Sequence, residues 1–268
     1  EKSKDLVRMA VAKARLLEPL EKPVIKTTPV ALVIGGGLSG MTSALEIADQ
    51  GYMVHLVEKT DMLGGNLKNI KYLPTGEDPE EELKALIKRV TGNDKIRVHL
   101  NTQVVDAHGY IGNFESTLVS PEEETVVNHG VVIIATGGVE YKPKEYMYGE
   151  PGVMTQFELE TRLHEGFKPQ SVVMIQCLGS RCEERTYCSR VCCTGAVTNA
   201  LKIKEVNPDA DVYVLYKDMR TYGFKEDYYR QAADKGVVFI RYTDEDRPVV
   251  EAEGGLRALS LIHISEPT

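Results

Sequence analysis

All five cysteines of the 268-residue chain lie between Cys177 and Cys193. The apolar segment Val172–Ile175 directly before them predicts a buried strand, and an amphipathic helix is predicted to begin at Cys192. In a nucleotide-binding fold, a strand–helix turn of this kind usually carries glycines that let a phosphate approach the backbone. Because this turn carries thiols instead, we predict that it holds a metal site and not the pyrophosphate of NAD(P).

Several chemical roles are open to such a cluster of thiols. The N-terminal sequence has no apolar core of the signal-peptide type, which disfavours a disulfide knot and favours metal or redox chemistry in the cytoplasm. Inert buried thiols, a structural zinc site and an iron–sulfur cluster are the other roles. Cys188 and Cys192 are four residues apart and could share a helix face. The spacing alone does not choose among these roles.

A second turn carries a dinucleotide-binding fingerprint, with Gly35, Gly37 and Gly40 at the required spacing. A strand is predicted before it over Ala31–Ile34, a helix follows it, and Glu58 ends the next strand eighteen residues after Gly40. The first glycine permits the tight turn, the second lets the backbone approach a pyrophosphate, and the third allows the helix to pack on the strand. The helix N-terminus would face the phosphates, and Glu58 would accept the ribose hydroxyls.

FAD and NAD share this fingerprint, and later residues choose between them. Gly64 and Gly65 follow Glu58 by six and seven residues, and an apolar strand predicted over Val131–Ala135 runs into a Thr-Gly-Gly sequence. These features, with the β-meander predicted between them, resemble the FAD domain of flavoproteins that have two dinucleotide-binding domains. This resemblance implies FAD as the cofactor. The residues predicted to contact it are Gly35, Gly36, Gly37, Leu38, Ser39, Gly40, Glu58, Lys59, Gly64, Gly65, Asn66, Val104, Ala135, Thr136 and Gly137.

The elements that position the two turns alternate between strand and helix. An N-terminal helix is predicted over residues 3–18 and is expected to pack against a neighbour through its apolar stripe. A helix is predicted to begin at Pro79, and a β-meander to lie between Ile96 and Val127. The alternation beyond residue 171 predicts a second parallel sheet. Its predicted elements are the strand Val172–Ile175, the helix Cys192–Val206, the strand Val212–Tyr216, the helix Lys225–Lys235 and the strand Val237–Tyr242.

The predicted fold class is α/β, with a Rossmann-like FAD domain that contains a β-meander and a second Rossmann-like lobe. The predicted divisions are an N-terminal helix and connector over 1–28, an FAD-binding domain without its C-terminal part over 29–150, an interdomain crossing over 151–170, the second lobe with the cysteine turn over 171–259, and a tail over 260–268.

Composition restricts the partners. The formal charge is −8, from 40 acidic and 32 basic residues, whereas a general nucleic-acid-binding protein usually carries a basic surface. No apolar run approaches the ~20 residues that a membrane-spanning helix needs. We therefore expect no nucleic-acid partner, no membrane association and a cytoplasmic location. No acid–base or nucleophilic arrangement stands out, so no catalytic side chain is predicted.

Nearly the whole chain, to about residue 258, resembles the A subunit of heterodisulfide reductase, the flavin-carrying iron–sulfur subunit. The resemblance is carried by the glycine fingerprint, by residues 4–10 of the N-terminal helix, and by residues 177–181 and 187–193 of the thiol turn. It implies a [4Fe–4S] cluster, with Cys182 as a spare thiol or as a replacement for Cys177. The implied ligands are Cys177, Cys188, Cys192 and Cys193.

The same resemblance implies an electron-transfer function. Proteins of this family relay electrons between flavin, iron–sulfur clusters and partner subunits, and in several complexes the flavin bifurcates them. The implied partners are other heterodisulfide reductase-type subunits, with ferredoxin, hydrogenase or dehydrogenase as electron donors. The family's N-terminal cluster domain and its ferredoxin-like cysteines are not in this sequence, and residues 261–268 resemble translated sequencing-adapter sequence. We therefore expect a truncated fragment with a non-native tail over 260–268.

Two other functions are weighed against this one. A stand-alone NAD(P)H-dependent flavoprotein disulfide reductase would carry a C-x-x-C pair and a second glycine fingerprint, and the sequence contains neither. A zinc-stapled nucleotide-binding scaffold would use the same thiols without redox chemistry.

Overall fold

The computed structural model describes residues 1–22, 24–251 and 257–259. The tail predicted over 260–268 lies outside the described residues.

The first helix, α1 (Lys2–Arg15), forms where the apolar spacing predicts it but buries none of its residues. Leu6 and Met9 on this helix are 58% and 68% exposed. The expectation that the helix packs against a neighbour is therefore wrong within the described chain. An apolar stripe can form one face of a helix without supplying the surface that covers it.

The first half of the chain continues with seven strands, two α-helices and a short 3-10 helix. In chain order they are β1 (Val30–Ile34), α2 (Leu38–Asp49), β2 (Met53–Val57), the 3-10 helix (Gly65–Asn69), α3 (Pro79–Thr91), β3 (Ile96–His99), β4 (Gln103–Tyr110), β5 (Asn113–Val119), β6 (Glu124–His129) and β7 (Val131–Ile134).

Four of these strands form a parallel sheet in the spatial order β3-β2-β1-β7. Helices α2 and α3 cover one face of it, where Met41, Ala44 and Val90 are fully buried. α3 begins after Asp78, whose carboxylate accepts a hydrogen bond of 2.8 Å from the N–H of Glu80. The sheet and its two helices thus support the glycine turn between β1 and α2.

The antiparallel meander β4-β5-β6 covers the opposite face, where Leu118 and Val127 pack against Leu32 and Val57. The prediction that the meander begins at Ile96 is wrong, because β3 pairs in parallel with β2 and Ile96 is buried on the helix side. A short apolar run has the same pattern in either sheet, so only the strand pairing decides its place.

The second half of the chain begins with a short helix in the crossing segment. Thr155 and Glu158 form a capping box at its start, in which each side chain accepts a hydrogen bond from the other residue's backbone N–H. In chain order the elements are α4 (Gln156–His164), β8 (Ser171–Ile175), α5 (Cys192–Val206), β9 (Asp211–Tyr216), α6 (Lys225–Asp234), β10 (Val238–Arg241), β11 (Val249–Glu251) and β12 (Arg257–Leu259).

The second parallel sheet that the alternation predicted is present, and its strands lie in the spatial order β10-β9-β8. The bounds of α5 are those predicted, and the other predicted elements of this lobe lie within one residue of the observed ones at each end. The antiparallel pair β11–β12 was not predicted. The glycine turn follows β1 and the cysteine turn follows β8, so both lie at carboxyl ends of parallel strands, where open α/β sheets bind ligands.

Candidate functional site

The three fingerprint glycines meet different spatial constraints. Gly35 has a φ of +111°, and a Cβ atom there would lie 2.2 Å from the carbonyl oxygen of Ala135. A Cβ atom on Gly40 would lie 1.8 Å from the carbonyl oxygen of Gly35, whereas the nearest atom to one on Gly37 is the Cα of Gly65, at 3.8 Å. Packing therefore requires the first and third glycines. The second borders open space of the kind that a pyrophosphate enters.

The second glycine pair packs directly on this turn. The N–H of Gly64 donates a hydrogen bond of 2.8 Å to the carbonyl oxygen of Gly36. Gly64 and Gly65 have φ values of +122° and +51°, and a Cβ atom on Gly65 would lie 2.9 Å from the Cα of Gly37. Both glycines are needed for this approach, and together the two loops border the open space beside Gly37.

Glu58, which directly follows β2, is 7% exposed and turns its carboxylate toward the glycine turn. Its Oε2 accepts a hydrogen bond of 2.7 Å from the N–H of Gly36, and its Oε1 accepts two of 2.9 Å from the N–H and the hydroxyl of Thr60. Burial alone would raise the pKa of Glu58, but these hydrogen bonds outweigh it and hold the pKa below its ordinary value. The ionised carboxylate retains a free lone pair for a ribose hydroxyl.

Thr60 is part of this arrangement and was missed by the sequence analysis. The available signal was a hydroxyl residue two positions after the ribose acid. Thr60 also accepts, through its carbonyl oxygen, a hydrogen bond of 2.9 Å from the N–H of Asn101. The predicted residue Val104 lies three positions later in β4 and is half-buried beside the core between sheet and meander. The start of the meander therefore lies beside the ribose acid.

Two hydrogen bonds bring other predicted FAD contacts beside the glycine turn. The N–H of Ala135 donates a hydrogen bond of 2.8 Å to the carbonyl oxygen of Ile34, which brings the end of β7 beside the end of β1. The side chain of Asn66 donates one of 2.8 Å to the carbonyl oxygen of Gly138, which joins the second glycine loop to the Thr-Gly-Gly segment. The exposed members of the predicted set are Leu38, Ser39, Lys59, Asn66, Thr136 and Gly137.

The cysteine turn connects β8 to α5 and has an unusual backbone. Cys177, Arg181 and Arg190 have φ values of 65°, 56° and 63°, in the left-handed region that favours glycine. For non-glycine residues this conformation costs about 1–3 kcal/mol each, and such residues cluster at functional sites. The strained backbone of this turn therefore indicates a functional site, because a turn that only connected β8 to α5 would not need it.

Two of its five thiols, those of Cys192 and Cys193, interact with each other, and the backbone of Cys177 contacts the first of them. The Sγ of Cys192 accepts hydrogen bonds from the thiol of Cys193, the hydroxyl of Ser189 and the N–H of Cys177. The bond from Cys193 contributes most, and together they outweigh burial and lower the pKa of Cys192. The same bond and burial raise the pKa of Cys193, whose Sγ also lies 3.7 Å from the carbonyl oxygen of Asp218. These contacts join the end of β8, the start of α5 and the end of β9.

The thiols of Cys188 and Cys182 make separate contacts. The Sγ of Cys188 accepts a hydrogen bond of 3.3 Å from the N–H of Arg190, and that of Cys182 lies 4.0 Å from the carbonyl oxygen of Arg185. The suggestion that Cys188 and Cys192 share a helix face is wrong, because α5 begins at Cys192. In the described ranges, no three or more Cys, His, Asp or Glu side chains are arranged to hold a metal ion.

The chemistry of the donors nevertheless suits an iron–sulfur cluster. In the part of the chain that the structure describes, two buried donors in the turn and at the start of α5 have no hydrogen-bond partner: Nη1 of Arg181 and the hydroxyl of Thr194. Arg181 also contacts Cys177 and forms an ion pair of 2.5 Å with Asp218. Thiolates ligate such clusters, and neighbouring donors hydrogen-bond to their sulfur atoms.

A cavity of about 570 Å³ opens beside the cysteine turn. Residues 177–185 form one wall, and Lys217 and Tyr242 extend it to the ends of β9 and β10. Tyr141, in the loop after β7, closes it: a Cβ atom on Gly179 would lie 2.5 Å from its ring, so the ring covers the one glycine of the turn. Backbone at this glycine is therefore not open to a phosphate.

Residues 30–175, more than half of the chain, match the model of the pyridine nucleotide-disulphide oxidoreductase family. The chain belongs to this family. Membership confirms the FAD-binding Rossmann-like fold and the oxidoreductase class predicted from the sequence. The match includes the glycine turn and ends two residues before Cys177.

Within this family, the chain is similar to curated heterodisulfide reductase A subunits, as the sequence analysis predicted. It is 30% identical to an iron–sulfur A subunit of the CoB–CoM heterodisulfide reductase of Methanopyrus kandleri, over 90% of this chain and 51% of that protein. It is 32% identical to the A subunit of the H2:CoB–CoM heterodisulfide, ferredoxin reductase of Methanothermobacter thermautotrophicus, with coverage of 90% and 51%. The chain spans about half the length of the curated relatives it matches.

A solved structure shows the same fold. The HOCl-induced flavoprotein disulfide reductase of Escherichia coli superposes with a TM-score of 0.50 at 17% identity, over 87% of this chain and 53% of that one. None of the helices in the described ranges is long and apolar enough to cross a membrane.

Proposed function

We propose that this chain is the FAD- and [4Fe–4S]-dependent electron-transfer part of a heterodisulfide reductase-type A subunit. The observation that carries the proposal is the pair of unlike turns at the carboxyl ends of two parallel sheets. One has glycines and open space beside Gly37; the other has five thiols between Cys177 and Cys193. Similarity to the A subunits named above supports it.

FAD would bind along the glycine turn. The free N–H groups at the start of α2 would face its pyrophosphate, the open space beside Gly37 would leave it room, and Glu58 would accept a ribose hydroxyl. Bound there, FAD would supply one- and two-electron redox chemistry. Its contacts would be those predicted from the sequence, together with Thr60.

The cluster would bind at the cysteine turn. Cys177, Cys192 and Cys193 already interact, and Cys188 on the loop before α5 would supply the fourth thiolate. Arg181 would place a positive charge and a free N–H beside the sulfur atoms, which favours the reduced cluster. The cluster would take up and release single electrons.

The divisions 1–28, 29–150, 151–170 and 171–259 belong to the same proposal. So do a cytoplasmic location and partner subunits of the heterodisulfide reductase type. The electron donor would be ferredoxin, a hydrogenase or a dehydrogenase, and one relative's name includes a ferredoxin reductase activity. Bifurcation would occur at the flavin of the whole protein.

The family match favours a second candidate, a stand-alone NAD(P)H-dependent disulfide reductase. That enzyme needs a phosphate-binding turn in the second lobe and a reactive thiol pair. The turn after β8 offers one glycine, Gly179, which the ring of Tyr141 covers. Because the turn lacks an open phosphate-binding glycine, we favour the electron-transfer function over the stand-alone disulfide reductase.

One anaerobic experiment tests both candidates. After reconstitution with FAD, iron and sulfide, bound flavin is quantified first, and the absorption spectrum is recorded. We expect resolved flavin bands over a broad iron–sulfur shoulder, and bleaching by dithionite or a reduced iron–sulfur protein but not by NADPH. Rapid bleaching by NADPH would establish the disulfide-reductase candidate, and bound zinc without either absorption would establish a scaffold.

A further inference from the structure

A buried hydrogen-bond network joins the two halves of the chain at Tyr72. Its hydroxyl donates to Oδ1 of Asn199 on α5 at 2.5 Å. The side-chain amide of Asn199, which is 1% exposed, donates to the side chain of Gln156 on α4 at 2.7 Å and to its carbonyl oxygen at 3.2 Å. Nζ of Lys202 lies 5.6 Å from the centre of the Tyr72 ring. The tyrosine is therefore held by two residues of α5, one at its hydroxyl and one at its ring.

A second contact fixes the backbone of the same segment. Oε1 of Glu160 on α4 accepts a hydrogen bond of 2.6 Å from the N–H of Lys71, and the carboxylate also accepts one from the N–H of Tyr72. Glu160 is 7% exposed, and burial raises its pKa although these bonds lower it. A carboxylate buried in this way is costly unless its partners stay in place, so the contact holds one arrangement.

Each end of the network lies next to one of the two turns. From the glycine pair, the N–H of Leu67 donates to the carbonyl oxygen of Gly64, and the N–H of Ile70 to that of Leu67, so hydrogen bonds run from Gly64 to the residue before Lys71. Asn199 lies seven residues after Cys192, two helical turns along the same face of α5. The network therefore connects the second glycine loop to the helix that carries two of the thiols.

The surroundings of the network are apolar. Tyr72 packs against the core of the second half, which includes Leu163, Val197 and Ala200. Apolar contacts alone would allow the segment to slide along α5, whereas a satisfied polar network in a core specifies a single register. The main effect of the polar residues at this junction is therefore to fix the position of the Tyr72 segment along α5, and their contribution to stability is secondary.

We propose that Tyr72 is a positioning residue that couples the second glycine loop to α5, so that FAD bound at the loop orders the first two turns of the helix. The inference rests on the proposed function, because it takes FAD as the ligand of the loop. Coupling of this kind is reciprocal: order in α5 also favours FAD. Tyr72 itself need not touch either cofactor.

Hydrogen–deuterium exchange with and without saturating FAD tests the coupling on the full chain, in Tyr72→Phe and in a matched control, Tyr148→Phe. The control substitution also removes a tyrosine hydroxyl that donates to a side chain, in this case to Glu158 at 2.9 Å. Tyr148 lies outside the network. We expect FAD to slow exchange in residues 192–200 by about fivefold or more in the unmodified chain and in the control, and not in Tyr72→Phe. Exchange in β9 reports any global loss of stability.

Equal slowing in Tyr72→Phe would overturn the inference. So would an absence of slowing in the unmodified chain when its absorbance shows bound FAD. If the unmodified chain takes up no FAD at all, the proposed function fails, and the inference fails with it; the absorbance measurement separates that outcome from the other two.

Discussion

A Cβ atom on Gly40 would lie 1.8 Å from the carbonyl oxygen of Gly35. The first turn of α2 therefore touches the loop that precedes it, and only a residue without a side chain fits there. Gly37, between these two glycines, has no such contact. The turn thus contains glycines that the fold needs and one that a ligand would need.

The first prediction separates these two roles. Gly40→Ala should lower the free energy of unfolding by about 1–3 kcal/mol or more, because backbone must move to admit the methyl group. Gly37→Val should change it by no more than about 1 kcal/mol and abolish FAD binding. Urea unfolding and bound-flavin absorbance measure the two effects. Gly195→Ala, in an open position of α5, is the control; normal flavin content in Gly37→Val would contradict the assignment.

The second prediction concerns Glu58. Glu58→Gln replaces a carboxylate, which only accepts hydrogen bonds, with an amide whose N–H₂ group would face the donors of Gly36 and Thr60. The substitution should lower the free energy of unfolding by about 1–3 kcal/mol at neutral pH. It should also weaken FAD binding. Because its pKa lies below the ordinary 4.5, the carboxylate stabilises the fold above that pH and loses its contribution as the pH falls through the folded pKa.

Urea unfolding at pH 7 and at pH 4 checks this prediction. The difference between the unmodified chain and Glu58→Gln should shrink at the lower pH. Glu46→Gln, on the exposed side of α2, is the matched control. A difference that stays constant with pH would show that the lost charge is not the cause.

The third prediction concerns metal. Anaerobic reconstitution should load about four irons per chain, as in four-thiolate cubane clusters. Cys188→Ala and Cys192→Ala should remove most of this iron, and Cys182→Ala should spare it. Iron and sulfide assays with the absorption spectrum measure the effect. Loss from Cys182→Ala together with none from Cys177→Ala would identify Cys182 as the fourth ligand.

The fourth prediction concerns two histidines on neighbouring strands. Nδ1 of His55 and Nε2 of His99 are 2.9 Å apart and half-buried. Burial, and then the charge of His99, lowers the pKa of His55 from 6.5 to about 4. The folded chain therefore disfavours the protonated imidazole, so this contribution to stability is full above pH 6.5 and declines as the pH falls toward 4.

Urea unfolding between pH 7 and pH 5 tests the histidine prediction. His55→Asn should make the decline in unfolding free energy shallower, because one proton-binding group of the unfolded chain is removed. His164→Asn, at an exposed position, is the matched control. Equal slopes for all three chains would contradict the prediction.

Much of the local structure followed from the sequence. The helix Cys192–Val206 was predicted and is present, since apolar spacing places the start of the helix after the turn and Pro208 stops it. The glycine turn was equally predictable, because the positive φ of Gly35 and the contact of Gly40 with the carbonyl oxygen of Gly35 involve residues close in the chain. Helix ends and tight turns depend on a few residues that are close in the chain, so they can be predicted from the sequence.

Contacts between distant segments could not be predicted from the sequence. The sheet that β3 joins, the exposure of α1, the separate contacts of Cys188 and the bond between Tyr72 and Asn199 all depend on which surfaces meet after the chain has folded. By itself, the sequence determined the order of the elements, the two turns and the chemistry that each can hold. Only the tertiary structure decided which thiols touch and how the glycine loop is joined to α5, because a residue's type and spacing do not specify its distant partner.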